Sequence, residues 1–593
     1  MRALATSILQ AVAIAAILGL LPGALAHGDD DMEMGEGSDK PLADDQYPPN
    51  YFGLADHRGL IYAHIALMVL AWVFILPVGV MFSLARSRLA LLVQCVFLAT
   101  HVGGLLLGTI YNASTPDLYP NNAHHKIGWI TTWTVGAQVV IGLLARVAGV
   151  LRRRSANSSR ADERQSFIPV STEAIAEHES HFPENYRFSN DSGQGTELGS
   201  EAIRGHSVSS GTDSPAIPLR DVALRDANKD FNVLDGDEDS EEGLTMLPRH
   251  GVVRSMVQKA AGMVSSRFWK FLIFAYNFID RTILVFGSIA LATGWVTFGR
   301  FFEGEQIFTG LAHWIKGGVF FWLGILTLAR WAGSFGDLGW AWNVRPKRKD
   351  DKWRPSAEFV ESALIFFYGS TNIFLEHLGG WGGEWGPQDL EHISITVLFI
   401  GGGLCGMLIE STRIREVLNT SVTDASQAVP AHAYRDEERD ELRQPETYLF
   451  SMNPIPALVI ILLGIMMSSH TQDNMVSSML HKQWGNLLTG GSLARAFTYV
   501  LTYMKPPKSI YPSRPPTELL ASFGLMAGGI IFMASSGDTV DGMVHYHLDA
   551  MFIYTVTMGF IGLLMAWVII VVALKGWATR REGARGPSTY TPL

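Results

Sequence analysis

Eleven apolar runs constrain this chain more than anything else in it. They lie near 59–84, 89–111, 127–151, 278–302, 307–330, 358–378, 390–410, 454–470, 480–503, 517–536 and 548–574. At ~1.5 Å of rise per residue, each is long enough, or nearly so, to cross a hydrocarbon layer of ~30 Å as a helix. The expected fold is therefore an all-α polytopic membrane helix bundle, with lipid as its partner. Two runs stand apart. The run 454–470 is short, and 480–503 carries Lys482 and Arg495, which suits a cavity or a bundle interior. Composition agrees, with 48% hydrophobic and only 17% charged residues over 593 positions. Nothing in it calls for nucleic acid.

Charge gives the direction of the bundle independently. Positive side chains gather in every second loop: Arg86 and Arg88, Arg152 to Arg154, Arg345 to Lys352, Arg413 and Arg415, Lys505 and Lys508, and Lys575 to Arg581. The alternate loops are almost free of them. By the positive-inside rule the basic loops are cytosolic, which predicts the N-terminus outside and the C-terminus inside. Residues 1–26 read as a secretory signal: Arg2, an apolar stretch, then Ala24-Leu25-Ala26. That places the chain in a membrane of the secretory route, such as endoplasmic reticulum, vacuole or plasma membrane. An acidic non-cytosolic leader follows over 27–58, then a three-span region over 59–151. The segment 152–277 interrupts the membrane pattern; its centre, 155–252, is rich in Ser, Glu, Asp and Gly and reads as disordered. It offers a surface for cytosolic partners or kinases, with Ser214-Pro215 as a proline-directed site. Its basic end, 253–277, suits an amphipathic helix on the inner leaflet. An eight-span domain over 278–574 and a cytosolic tail over 575–593 complete the chain. Cys95 and Cys405 both fall inside apolar runs and read as buried small hydrophobes.

With direction assigned, nearly every membrane histidine falls near the non-cytosolic ends of the spans. His64 lies in the first, His124 and His125 open the third, and His313 opens the fifth. Glu376-His377 closes the sixth and Glu391-His392 opens the seventh. His470 and His481 flank the loop between the eighth and ninth, and His547 with Asp549 opens the last. His101, on the second span, is the one near mid-membrane. Imidazole is at home in the interface, so any single one needs no function. The one-sided set is harder to dismiss, because ionisable groups in membrane helices usually face protein and mark a site.

Two cofactor classes fit. A b-type haem takes two axial histidines from different helices at matching depth. His64 with His125 is the expected pair, with His124 as alternate, and His101 and His313 as candidates for a second group. Gly103, Gly104 and Gly108 would admit a close helix or a flat macrocycle. The mixed set Glu376, His377, Glu391, His392, His470, His481, His547 and Asp549 suits zinc, iron or manganese instead.

The stretch Pro116-Asp117-Leu118-Tyr119-Pro120-Asn121-Asn122-Ala123-His124-His125-Lys126-Ile127-Gly128-Trp129 resembles the fungal yeast putative transmembrane protein family. So do His64 to Trp72 with Pro77 and Gly79, Leu390-Glu391-His392, and His545-Tyr546-His547-Leu548-Asp549. The resemblance covers most of the membrane region. It implies a multi-spanning fungal protein with no established activity. Its N-terminal part is in turn similar to the cytochrome b561 group, in which histidines on four helices bind two haems. Carried over by position, His64 and His125 match that pattern, and His313-Trp314 looks like another of its segments; His101 is an approximate match. An extra span between His125 and His313 departs from it. Four functions follow for testing: a haem or metal site in the outer leaflet with an electron-transfer role, a metal-dependent membrane hydrolase, a transporter with Pro454, Pro456 and the polar ninth run along its path, and a structural anchor.

Overall fold

The computed structural model describes residues 47–165, 266–304, 306–346, 355–372, 386–427, 445–469, 472 and 474–583. The signal, most of the leader, the centre of the insert, and Glu376, His377 and His470 lie outside the described residues. Helix is the dominant structure, and no strand occurs among the described residues. Each apolar run coincides with a helix. These are α1 (Arg58–Leu84), α2 (Leu89–Ser114), α3 (Ala123–Gln165), α4 (Ser266–Gly299), α5 (Gln306–Ala332) and α6 (Ala357–Asn372). They continue as α7 (Pro387–Glu410), α8 (Ile455–Ser468), α9 (Met475–Met504), α10 (Thr517–Ala534) and α11 (Ala550–Gly583).

Eight of the eleven, all but α6, α8 and α9, carry a stretch long and apolar enough to cross a membrane. Their outward faces bear large apolar side chains in the open, such as Trp133 at 72% and Leu563 at 75% exposure. Water would not tolerate so much contiguous apolar surface, and lipid does. The chain is an integral membrane protein. Cys95 and Cys405 are free and exposed on these faces, so the expectation that they are buried is corrected: a lipid-facing position suits a small apolar side chain equally well.

By contact the chain forms two units, residues 1–143 with 273–593, and residues 144–272. The described part of the second consists of the continuations of α3 and α4. The first contains every residue discussed below. Its buried hub is α10, which is glycine-rich on opposite faces. A Cβ on Gly529 would stand 2.6 Å from the Gly317 carbonyl oxygen and 2.6 Å from the Phe321 nitrogen on α5. On the other side, a Cβ on Gly524 would come within 2.7 Å of the Leu487 carbonyl of α9. Small residues let membrane helices pack backbone to backbone. Gly529→Val should therefore push α5 off α10 and lower the melting temperature in detergent by several degrees, since overpacking costs about 1–3 kcal/mol. Gly559→Val, where a Cβ meets nothing within 4 Å, should leave melting unchanged.

The first helix has a local break that matters for the site. Residues Leu70–Ile75 form a π-helical turn just ahead of Pro77. Proline has no N–H for the carbonyl four residues back, that of Val73. The Trp567 indole of α11 fills the gap, donating to the Val73 oxygen at 2.9 Å. In lipid that carbonyl would otherwise be orphaned. The widened turn seats Trp72 inward, where it is buried.

Candidate functional site

Three imidazoles from α1, α2 and α3 gather in the N-terminal bundle. His101 is 3% exposed and fully engaged. The Trp72 indole donates to its Nδ1 at 3.2 Å, so the ring hydrogen sits on Nε2, which donates to Thr132 Oγ1 at 2.9 Å. Phe97 stacks on the ring with centroids 5.7 Å apart. Both ring nitrogens are thereby engaged, and His101 braces α1, α2 and α3 together.

His64 and His124 are placed differently. The His64 Nδ1 lies 2.7 Å from the Gly104 carbonyl oxygen, and the His124 Nδ1 lies 3.1 Å from the Ala290 carbonyl oxygen on α4. A carbonyl only accepts, so each Nδ1 carries the hydrogen and each Nε2 carries the lone pair. The rings are 6.3 Å apart, centre to centre, and nearly perpendicular at 80°. Glycines make the room: a Cβ on Gly108 would fall 2.6 Å from His64 Nδ1, and one on Gly294 3.0 Å from His124 Cε1. The glycines of α2 thus serve the imidazole and the neighbouring helix. His125 is exposed, and its backbone N–H merely caps onto Asn122 Oδ1 at 2.9 Å. His64 thus faces His124, the alternate member of the expected pair, while the His125 ring stands at the exposed rim.

The described members of the mixed carboxylate set form no metal-holding group among themselves. Among the described residues, no group of three His, Cys, Asp or Glu is close enough to hold a metal ion. Asp549 is exposed and accepts from the Phe552 N–H at 2.6 Å, the work of a helix N-cap. His547 is exposed, with a left-handed φ of 54° in the turn before α11. Glu391 is exposed at the start of α7, and His392 lines a cavity of about 2600 Å³ with His313. His313 itself sits beside His481, a pairing that crosses the two cofactor classes read from sequence.

Above this rim the leader is laced to the loops. Tyr47 stacks on His545 at 4.1 Å, and Asn50 donates to the Tyr546 hydroxyl at 3.2 Å. Tyr119 donates to the Phe301 carbonyl at 2.9 Å, and Asp538 accepts from the Phe302 N–H. Burial, and then the neighbouring Tyr546, pushes the Tyr47 hydroxyl up to about 12, so it stays neutral at any physiological pH.

A second polar centre went unread in the sequence beyond the single mark of Arg495. Arg330 on α5 is 2% exposed and gives 2.9 Å hydrogen bonds to Glu358 and Glu361 of α6, and another to the Trp340 carbonyl. Arg495 on α9 reaches Glu361 at 3.3 Å, Thr327 at 3.0 Å and Glu518 of α10 at 2.8 Å. Both guanidinium groups lie over the Trp342 ring, at 5.0 and 5.6 Å. Four helices are therefore joined by two cations and three carboxylates in the buried interior. Glu361 and Arg495 also line the 2600 Å³ cavity.

Comparison with known proteins places the chain among membrane proteins of matching length. Residues 286–576 match the family described as protein YTP1-like, C-terminal, and residues 45–148 match a domain of unknown function, DUF2427. An uncharacterized membrane protein of Schizosaccharomyces pombe is 31% identical over 562 residues, 93% of this chain and all of the relative. Another from Saccharomyces cerevisiae is 38% identical over 320 residues, covering 51% of this chain and 48% of that one. Protein YTP1 of the same yeast is 22% identical over 182 residues, 30% of this chain and 31% of its own length. No solved structure matches.

Proposed function

The chain belongs to the YTP1-like family of membrane proteins, and from the imidazole pair at its rim we propose that it is an eleven-pass redox protein binding one haem b between His64 and His124. The N-terminus lies outside in this reading, which puts the haem in the outer leaflet. The observation that carries it is the matched preparation of the two rings. Each has its Nδ1–H held by a backbone carbonyl, the arrangement that orients a ligating histidine and makes its other nitrogen more basic. Two metal–nitrogen bonds of about 2 Å each, with the two half-rings, span roughly 6 Å from centre to centre; the observed 6.3 Å agrees with that sum.

Haem bound there would supply one-electron exchange at iron. The protein's own part is to orient and to insulate. Gly104 and Ala290 fix the ring planes, and Thr293, which also donates to the Ala290 carbonyl at 3.0 Å, steadies that acceptor. The His101 brace keeps α1, α2 and α3 at constant spacing beneath the pair. The cytochrome b561 likeness read in the sequence supports the same class of cofactor.

The test is direct. Protein purified from haem-replete cells should be coloured, with a Soret band that shifts on dithionite and a pyridine haemochrome value near one haem for this site. A colourless, monodisperse, fully helical preparation from such cells would end the proposal. The metal-hydrolase reading draws no support from the described residues, among which no group of three His, Cys, Asp or Glu could hold a metal ion.

A further inference from the structure

The charges of the buried network do not balance, and the imbalance can be traced to one side chain. Arg330 and Arg495 face Glu358, Glu361 and Glu518, and all five are at most 7% exposed. Glu361 takes a donor on each oxygen, Arg330 at 2.9 Å and Arg495 at 3.3 Å. Glu358 takes Arg330 at 2.9 Å and the Tyr499 hydroxyl at 3.5 Å. Glu518 is fully buried; its Oε1 lies 2.8 Å from Arg495 Nε, and its Oε2 meets no donor among the described residues. No lysine, histidine or third arginine pairs with these carboxylates among the described residues. Glu410 of α7, which faces Glu358, adds a further carboxyl, held by the Ser356 and Ser451 hydroxyls at 2.6 and 2.7 Å.

From this arrangement we infer that the network is a proton-binding site, with one proton resting on Glu518 and exchanged through the cavity. A carboxylate left in excess in a buried interior takes up a proton, because an uncompensated charge there is the costlier state. Among the three, Glu518 has the fewest donors, and its bare Oε2 is the atom on which an O–H replaces a missing hydrogen bond. The neighbouring Thr498 hydroxyl donates to the Ala494 carbonyl at 3.2 Å, which leaves it a lone pair to accept the acid hydrogen. The proton belongs to the set as a whole, so removing a negative charge elsewhere lets Glu518 ionise. Glu361 and Arg495 line the 2600 Å³ cavity, and Glu361 shares the Arg495 guanidinium with Glu518. A proton arriving at Glu361 from the cavity is thereby felt at Glu518. Carboxylates placed inside membrane proteins commonly serve proton relays. The inference stands apart from the haem, since none of these residues touches His64 or His124.

The experiment uses the full chain in detergent and reads the infrared C=O stretch of a protonated carboxyl, which lies above the amide band. The wild type should show it at neutral pH, shifting on transfer to D2O, and Glu518→Gln should remove the intensity of one carboxyl. Glu361→Gln should remove as much although Glu518 is untouched, because two cations then face two carboxylates. A role in packing alone would not respond that way. Melting against pH gives a second reading. A carboxyl that holds its proton when folded and loses it on unfolding lowers the folding equilibrium about tenfold per pH unit above the ordinary carboxylate range. Wild-type melting should therefore fall as pH rises, and both glutamine variants should give flatter curves. A wild type without the protonated band would overturn the proposal, as would a band that never shifts in D2O. So would unchanged intensity in Glu518→Gln or Glu361→Gln, or equal pH slopes in wild type and Glu518→Gln.

Discussion

His64→Ala and His124→Ala should each abolish the Soret band of the purified protein, while His125→Ala leaves it intact. The three substitutions remove the same chemistry from neighbouring places, so their difference isolates geometry. A haem held by two axial imidazoles is left by either substitution on a single iron–nitrogen bond, too little to keep it through purification. His125 has no such role, because its ring is exposed at the rim and only its main chain is engaged. Gly108→Val should behave like His64→Ala without touching a ligand, since its side chain would occupy the space of the His64 ring. Equal bleaching by all three histidine substitutions would point to general loss of the α3 start. Retention of the band in His124→Ala would remove the pair itself.

The helices were legible because lipid imposes a length and a composition on them, and both can be read from residues 59–84 or 548–574 without tertiary knowledge. Even α8 and α9, short and polar respectively, formed where the runs predicted. The choice between His124 and His125 was not legible in the same way. Adjacent residues point about 100° apart on a helix, and the phase at a helix start is set by packing. A signal was nevertheless available. Positions 124, 131 and 138 share a face, and Thr131 and Gln138 are polar residues in an apolar run that prove to be 2% and 3% exposed. The face of His125 instead carries Trp129, which is 40% exposed to lipid. Thr132, seven residues after His125, is polar and faces His101 as well, so spacing narrows the choice without making it. The pairing of His313 with His481 had no such local mark, because it joins segments 168 residues apart across α10. The engagement of His101 was not legible either, because its indole and hydroxyl partners come from other helices, and its depth carries no information on them.

Arg330→Ala should be the most destabilising single substitution outside the glycine contacts, costing about 3–5 kcal/mol as expected for breaking a buried ion pair. Typical domains hold only about 5–15 kcal/mol in all, so a melting temperature lowered by ten degrees or more, with a large loss of monodisperse protein, is the expected reading. The cause is the carboxylates left behind. Arg330 gives hydrogen bonds to both Glu358 and Glu361, which are 3% and 6% exposed and would be left buried with their charge uncompensated. Glu518→Gln should be milder. Three carboxylates face two guanidinium groups, so removing one negative charge leaves the remaining pairs balanced, and the amide can still accept from Arg495. The surface pair Arg88–Glu582, at 3.6 Å with Arg88 38% exposed, provides the control; Arg88→Ala should change stability by less than about 1 kcal/mol. Replacing Arg330, Glu358 and Glu361 together by methionine and leucines should recover most of the lost stability, because no charge then remains unpaired. If the triple variant melts as early as Arg330→Ala, the network is held for shape rather than for charge, and the account of α5, α6, α9 and α10 as an electrostatically locked set fails.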